Sequence, residues 1–208
     1  EELSMEHVCL DLEGVLIPEI WAEVAEYTGE EQFKLTTQDL KDYSELMDMR
    51  IDLVQSIGLS FLEIQSLVDK MEPFDGAREF IDWVRDNFQL TIVSDSFYEL
   101  AWPLLRKLGT PSINCHYLDI ENNELKGYTL RQLENKKKVV QGLKDMQFKV
   151  FASGDSYNDI QMLQEADLGV FFQAPKHIRE EFKEIEGVES HEDLKNLLIE
   201  NSSFIGRS

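Results

Sequence analysis

The chain has only two cysteines in 208 residues, Cys9 and Cys115, and 20 basic side chains against 41 acidic ones. An isolated pair of cysteines without CxxC spacing offers no disulfide framework, so a reducing intracellular compartment is the simpler expectation. The shortage of Lys and Arg leaves a formal net charge of -21. Such a charge repels phosphate backbones and anionic lipid surfaces at long range, which argues against nucleic acid and membranes as partners. Runs of about 18 apolar residues are missing, as is a basic segment leading into an apolar stretch, and the chain reads as soluble and cytoplasmic. Internal repeats and low-complexity stretches are also missing. Met5 reads as a natural start, with Glu1–Ser4 as an addition ahead of it. The length suits one core, or one core with a smaller insertion.

Four short runs, HVCLDL, LTIVSD, FKVFASGD and LGVFF, have the unbroken apolar character of strands buried on both faces. Between them lie segments of helical spacing. AREFIDWVRDNF places Phe80, Val84 and Phe88 at steps of four, YELAWPLLRKLG closes on Gly109, and KKKVVQGLKDM follows the same pattern. This alternation predicts a parallel α/β sheet with right-handed crossovers. Residues 18 to about 74 break the rhythm, since they hold helical patterns and no strand. IWAEVAEYTG and DYSELMDMRIDLVQSIG stop at glycines, and SFLEIQSLVDKMEP opens with the capping pair Ser60 and Glu63. So much helix exceeds one crossover and predicts a small all-helical cap inserted in the core. SINCHYLDIENNELKGY reads as two extended pieces about an ENN turn, either a hairpin or an edge addition.

Chemistry concentrates where these strands run out. Asp11 and Glu13 follow the first, Ser94-Asp95-Ser96 closes the second, and Gly154-Asp155-Ser156-Tyr157-Asn158-Asp159 follows the third. In open α/β sheets the ligand crevice lies beyond the carboxyl ends of the strands, so three strands deliver polar groups to one edge. Taken singly, each acid is an ordinary cap or loop residue, and Gly154 serves only a backbone angle. Together, Asp11, Glu13, Asp155 and Asp159 form a set of hard oxygen ligands that repel one another unless a divalent cation neutralises them, and Mg²⁺ suits such a set. His7, His116, His177 and His191 lack metal-ligand spacing and read as structural or exposed.

DLEGV, the serine of VSDS, a lysine of ENKKK and GDSYND, in that order, resemble the four motifs of the haloacid dehalogenase superfamily. DLEGVLIPEIW, DYSELMDMR, SDSFYE and GYTLRQ are similar to the bacterial phosphoserine phosphatases that also transfer phosphoryl to homoserine. The resemblance implies a Rossmann-like core over residues 5–17 and 75–208 and a helical cap over 18–74. It implies Asp11 as the nucleophile that becomes an aspartyl phosphate and Glu13 as the acid/base. Ser94 and Lys136 would hold the phosphoryl group, Lys136 being the lysine of the run that aligns. Asp11, the Glu13 main-chain carbonyl and Asp155 would hold Mg²⁺, with Asp159 supporting that shell. Glu19 and Arg50 match by position the cap residues that bind the substrate's ammonium and carboxylate, and Asn158 is a further substrate contact. O-phospho-L-serine and L-homoserine are the implied small-molecule partners.

Two positions depart from the wider pattern. Glu13 stands where most of these phosphatases have aspartate, and the extra methylene is expected to disfavour bulk water against a positioned alcohol. Asp95 stands where relatives commonly have glycine, either turned away to cap the next helix or binding an amino acid's ammonium. The acidity of the whole chain opposes an anionic substrate, so binding is expected to depend on local cations within a field screened beyond roughly 8 Å.

Overall fold

The computed structural model describes residues 5–205, so the reading of Glu1–Ser4 lies outside the described residues. Strand β1 (Glu6–Leu10) leads into an insertion of helices: α1 (Ile20–Thr28), a 3-10 turn (Glu31–Lys34), α2 (Tyr43–Ile57) and α3 (Phe61–Lys70). The chain then alternates through α4 (Ala77–Asn87), β2 (Gln89–Phe97), α5 (Tyr98–Lys107), β3 (Ile113–Glu121), β4 (Glu124–Thr129), α6 (Asn135–Asp145) and β5 (Lys149–Gly154). After a short 3-10 turn (Tyr157–Asp159), α7 (Ile160–Glu165), β6 (Leu168–Phe172), α8 (Lys176–Glu181), β7 (Glu186–Val188) and α9 (His191–Asn201) complete the fold.

One seven-stranded sheet has the order β4-β3-β2-β1-β5-β6-β7, parallel except for the antiparallel β3–β4 pair. Both faces are covered, and the apolar runs of the strands follow from that. Val8 and Leu10 pack into one cluster and Cys9 into the other; Phe151 alternates with Val150 and Ala152, and Phe171 with Val170 and Phe172. Period-two alternation between two buried faces has no polar side, hence the unbroken hydrophobicity. Central β1 pairs with both β2 and β5, which puts the residues following all three strands side by side.

The segment read as hairpin or edge addition is both. Asn122 and Asn123 take positive φ of 51° and 66° in the turn, as a tight two-residue hairpin requires, and β4 forms the sheet edge. The hairpin tip has a second role. The Asn123 carbonyl accepts from Phe61 N at 2.9 Å and its Oδ1 from Leu62 N at 2.8 Å, so the turn satisfies orphan donors at the start of α3. Where the insertion joins the core, Phe74 N donates to the Leu16 carbonyl at 2.9 Å, tying the two chain crossings together. The elements after β6 were not read from the sequence, although Ser190 caps α9 by accepting from Asp193 N at 3.1 Å and Leu194 and Leu198 are buried four residues apart.

His7 opens β1 with its ring edge-on to Phe148 and Nε2 bonded to Thr91 Oγ1 at 2.8 Å, while Nδ1 is buried without a partner. Burial pulls its pKa from 6.5 to about 4. The folded state therefore refuses a proton that the unfolded chain accepts below about pH 6.5, and stability falls as pH drops from there towards 4. By pH 5 this costs about 2 kcal/mol. The stability difference between His7→Phe, which keeps the ring packing, and wild type is expected to shift in favour of the variant by about that amount between pH 7 and pH 5 in urea unfolding, a comparison in which the carboxylates common to both proteins cancel.

Candidate active site

The carboxyl edge of β1, β2 and β5 gathers a buried charge cluster. Asp11 N donates to the Ser153 carbonyl at 3.0 Å, which fixes the first residue after β1 against β5. Its Oδ1 accepts from Leu12 N at 2.8 Å and stands 3.0 Å from Lys136 Nζ. Lys136 also pairs closely with Asp159 and lies 4.0 Å from Asp95 Oδ2. Of the lysine run only Lys136 is buried, whereas Lys138 is exposed. Burial opposes the Lys136 charge, but Asp11, Asp159 and Asp95 hold its pKa well above the usual lysine value.

Glycines admit the closest approaches. A Cβ on Gly14, which sits at φ +83°, would lie 2.2 Å from Asp155 Oδ2. One on Gly154 would lie 2.3 Å from Asp159 Cγ, and Gly154 has no positive φ. Space rather than a backbone angle therefore requires Gly154, which corrects the expectation. Asp159 is fully buried: one oxygen meets Lys136 and the other accepts from Asp155 N at 2.9 Å and Ser156 N at 3.1 Å. Oxygens of Asp11, Asp155 and Asp159 lie within 4.8 Å of one another. Burial first, then neighbouring carboxylates, raise Asp11 well above its ordinary value and bring Asp155 to about 7. A set of hard oxygens strained by mutual repulsion fits a divalent cation, and with Asp159 saturated, Asp11 and Asp155 are the carboxylates left to face it.

A cavity of about 40 Å³ opens on this cluster and is lined by Asp11, Glu13, Glu19, Arg50, Ser94 and Asp155 among others. Glu13 reaches across to accept from Ile20 N at 2.8 Å, capping α1 where Glu19, the N-cap residue, makes no side-chain bond. Burial raises the Glu13 pKa, against the Ile20 N–H and the charge of Arg50. Glu19 is raised well above its usual value by burial and by Glu13. Arg50 is buried, stacks 5.1 Å over Trp21 and donates to the Leu35 carbonyl at 2.8 Å, while its Nε has no partner. Ser94 is buried, its Oγ accepting from Ser96 N at 3.0 Å.

The candidate residues Asp11, Glu13, Glu19, Arg50, Ser94, Asp95, Asp155 and Asn158 thus line one cavity, with Lys136 and Asp159 beside it, and the helix-cap alternative for Asp95 does not hold. Asp95 does not cap α5, whose N-cap is Phe97 with no side-chain bond; instead β2 continues to Phe97 and its register with β3 shifts between Val93 and Phe97. Its carboxylate contacts His116 Nε2 at 3.2 Å and Asn158 Nδ2 at 2.7 Å. His116, read as merely structural or exposed, is buried at the site. The sequence reading also missed a polar strap over residues 35–43. Gln38 Nε2 donates to Asp155 Oδ2 at 2.6 Å, and Thr37 Oγ1 bonds Asn158 Oδ1 at 2.9 Å and Ser156 Oγ at 3.0 Å. No periodicity marks that strap, and TTQD reads only as a loop.

Among the described residues, no single helix is long and apolar enough to cross a membrane. Gly14→Ala is expected to cost about 100-fold in turnover while preserving the circular dichroism spectrum, since displacing Asp155 by an ångström misplaces the reacting groups. Gly142→Ala, with nothing within 4 Å of the added Cβ and no positive φ, is expected to leave turnover near wild type.

Comparison with known proteins agrees with this geometry. The model of the haloacid dehalogenase-like hydrolases matches residues 5–167. Phosphoserine phosphatase ThrH of Pseudomonas aeruginosa is 45% identical over 200 residues, covering 96% of this chain and 98% of the relative. A phosphoserine phosphatase of Pseudomonas syringae pv. tomato is 43% identical over 97% of this chain and 86% of its own. Among solved structures, a substrate-bound phosphoserine phosphatase complex superposes with a TM-score of 0.78 at 20% identity, over 95% of this chain and 98% of that one, a likeness of fold. The chain belongs to the haloacid dehalogenase-like hydrolase family.

Proposed function

We propose that this hydrolase is a Mg²⁺-dependent phosphatase of O-phospho-L-serine that also passes the phosphoryl group to L-homoserine. The observation that carries the reading is one cavity lined by two chemically distinct sets of groups: Asp11, Ser94 and Asp155, which suit a phosphate, and Glu19 with a buried Arg50 whose Nε–H is unpartnered. An amino acid phosphomonoester needs both, since its phosphate must meet a nucleophile and its carboxylate and ammonium must meet opposite charges. Arg50 suits the carboxylate because a guanidinium can donate two parallel hydrogen bonds, and Glu19 suits the ammonium. Both Pseudomonas relatives are phosphoserine phosphatases by name, which supports the phosphoserine assignment.

In this mechanism an Asp11 carboxylate oxygen bonds to phosphorus as the ester P–O bond breaks, and Glu13 gives its proton to the leaving serine alkoxide. A carboxyl raised by burial is suited to holding a proton until that moment. Water or the homoserine hydroxyl then bonds to phosphorus, the aspartyl P–O bond breaks, and the incoming proton goes to Glu13. Lys136 and the Ser94 hydroxyl stabilise the phosphoryl oxygens in both steps. Mg²⁺ held by Asp11, Asp155 and the Glu13 carbonyl would add positive charge opposite those oxygens. Asp159 steadies the arrangement through Lys136 and the two N–H groups that it binds.

The cavity has room for only a few water molecules, so strap and insertion must yield to admit a substrate. The extra methylene of Glu13 lets it reach the start of α1 and tie the acid/base to the insertion, consistent with a group placed for a bound alcohol.

Incubation with O-phospho-L-serine and Mg²⁺ is expected to release phosphate, and added homoserine to divert part of it into phosphohomoserine. Asp11→Asn is expected to abolish both. Turnover of a generic aryl phosphate without either product would leave a phosphatase of another small metabolite and remove the substrate roles of Glu19 and Arg50. Arg50→Lys is expected to raise KM for phosphoserine by roughly tenfold, the loss of one charge-assisted hydrogen bond, with kcat for the aryl phosphate unchanged.

A further inference from the structure

Asp95 is bonded on every side. Its carbonyl accepts from the Tyr43 hydroxyl at 2.5 Å, and Tyr43 is the first residue of α2, which carries Arg50. Carboxylate Oδ1 faces His116 Nε2 at 3.2 Å and Oδ2 faces Asn158 Nδ2 at 2.7 Å. The polarity of this chain of bonds is determined at its far end. Arg131 N–H donates to His116 Nδ1 at 3.0 Å, so that nitrogen carries the lone pair and Nε2 carries the hydrogen given to Asp95. Burial opposes the Asp95 charge, but Lys136, His116 and Asn158 together hold its pKa below the ordinary value.

An ionised carboxylate only accepts, so the Asn158 amide must present its NH₂ to Asp95 and its oxygen to the other side. There it accepts from Thr37 Oγ1 at 2.9 Å, in the strap. A glycine at position 95 would remove the acceptor that fixes the amide's NH₂, leaving its oxygen held only by the Thr37 and Ser156 hydroxyls. Asp95 thus reaches the strap at Thr37 through its side chain and Asn158, and at Tyr43 through its main-chain carbonyl.

We infer that Asp95 is a positioning residue that holds the 35–43 strap closed over Asp11 and thereby sets the division of the phosphoryl group between water and an alcohol acceptor. This inference rests on the transfer reading proposed above. In both branches an oxygen bonds to phosphorus, the aspartyl P–O bond breaks and a proton passes to Glu13; only the source of that oxygen differs. A strap closed around a bound amino alcohol shuts out bulk water, and a loosened strap admits it.

The test compares wild type with Asp95→Ala, Thr37→Val and the double variant. It reads hydrogen exchange of amides 35–43 by mass spectrometry and the ratio of phosphate to phosphohomoserine formed from O-phospho-L-serine, Mg²⁺ and homoserine. Each single variant is expected to speed strap exchange and to raise the ratio, roughly tenfold in Asp95→Ala, which removes a charged acceptor, and about fivefold in Thr37→Val, which removes a hydrogen bond to a neutral amide oxygen. The double variant is expected to add little, because both changes break one chain of bonds. Unchanged strap exchange in Asp95→Ala overturns the inference, as do additive effects. A raised KM for both amino acids with unchanged exchange also overturns it and makes Asp95 an ammonium contact. Absence of phosphohomoserine from the wild-type reaction removes the transfer reading and the partition half of the inference, while coupled strap exchange would still support Asp95 as its anchor.

Discussion

The structure turns on one buried cation among carboxylates. Lys136 meets Asp11 and Asp159 and lies 4.0 Å from Asp95, with Asp155 beside them. One ammonium cannot balance four acids taken out of water, and the excess negative charge is the physical reason the cluster fits a divalent ion. Every local feature nearby serves the same crowding. Gly14 and Gly154 exist because no Cβ fits there, backbone N–H groups of residues 155 and 156 are spent on Asp159, and the strap lends Gln38 to Asp155.

Much of this was legible in the sequence. The hydrophobic runs are unbroken because the strands are covered on both faces, so a parallel sheet could be read without knowing its order, and the sheet order then brings Asp11, Ser94 and Asp155 to one edge. What resisted reading depended on contacts distant in sequence. Nothing in TTQD or in a single His116 signals that they close on Asp95 and Asp155, since their partners lie 21 to 121 residues away. Asp95 itself read as a helix cap or an ammonium contact because its neighbours in sequence suggest the first; its partners in space are His116 and Asn158. The short terminal elements escaped because β7 has only three residues and α8 six.

The helical insertion is held by more than its own packing. The β3–β4 hairpin meets the start of α3 at its tip, and the loop following β4 orients His116, which orients Asp95. Edge strand β4, strand β2 and the insertion are thereby joined through hydrogen bonds that each have one possible direction. The same network surrounds the cavity of about 40 Å³.

In the proposed reaction Asp11 takes the phosphoryl group covalently. The decisive measurement is rapid acid quenching after mixing with O-phospho-L-serine and Mg²⁺, followed by peptide mass spectrometry. A phosphorylated peptide that contains Asp11, is sensitive to hydroxylamine and is depleted when homoserine is added is the expected result. Turnover without any labelled peptide, or a label on another residue, would contradict it.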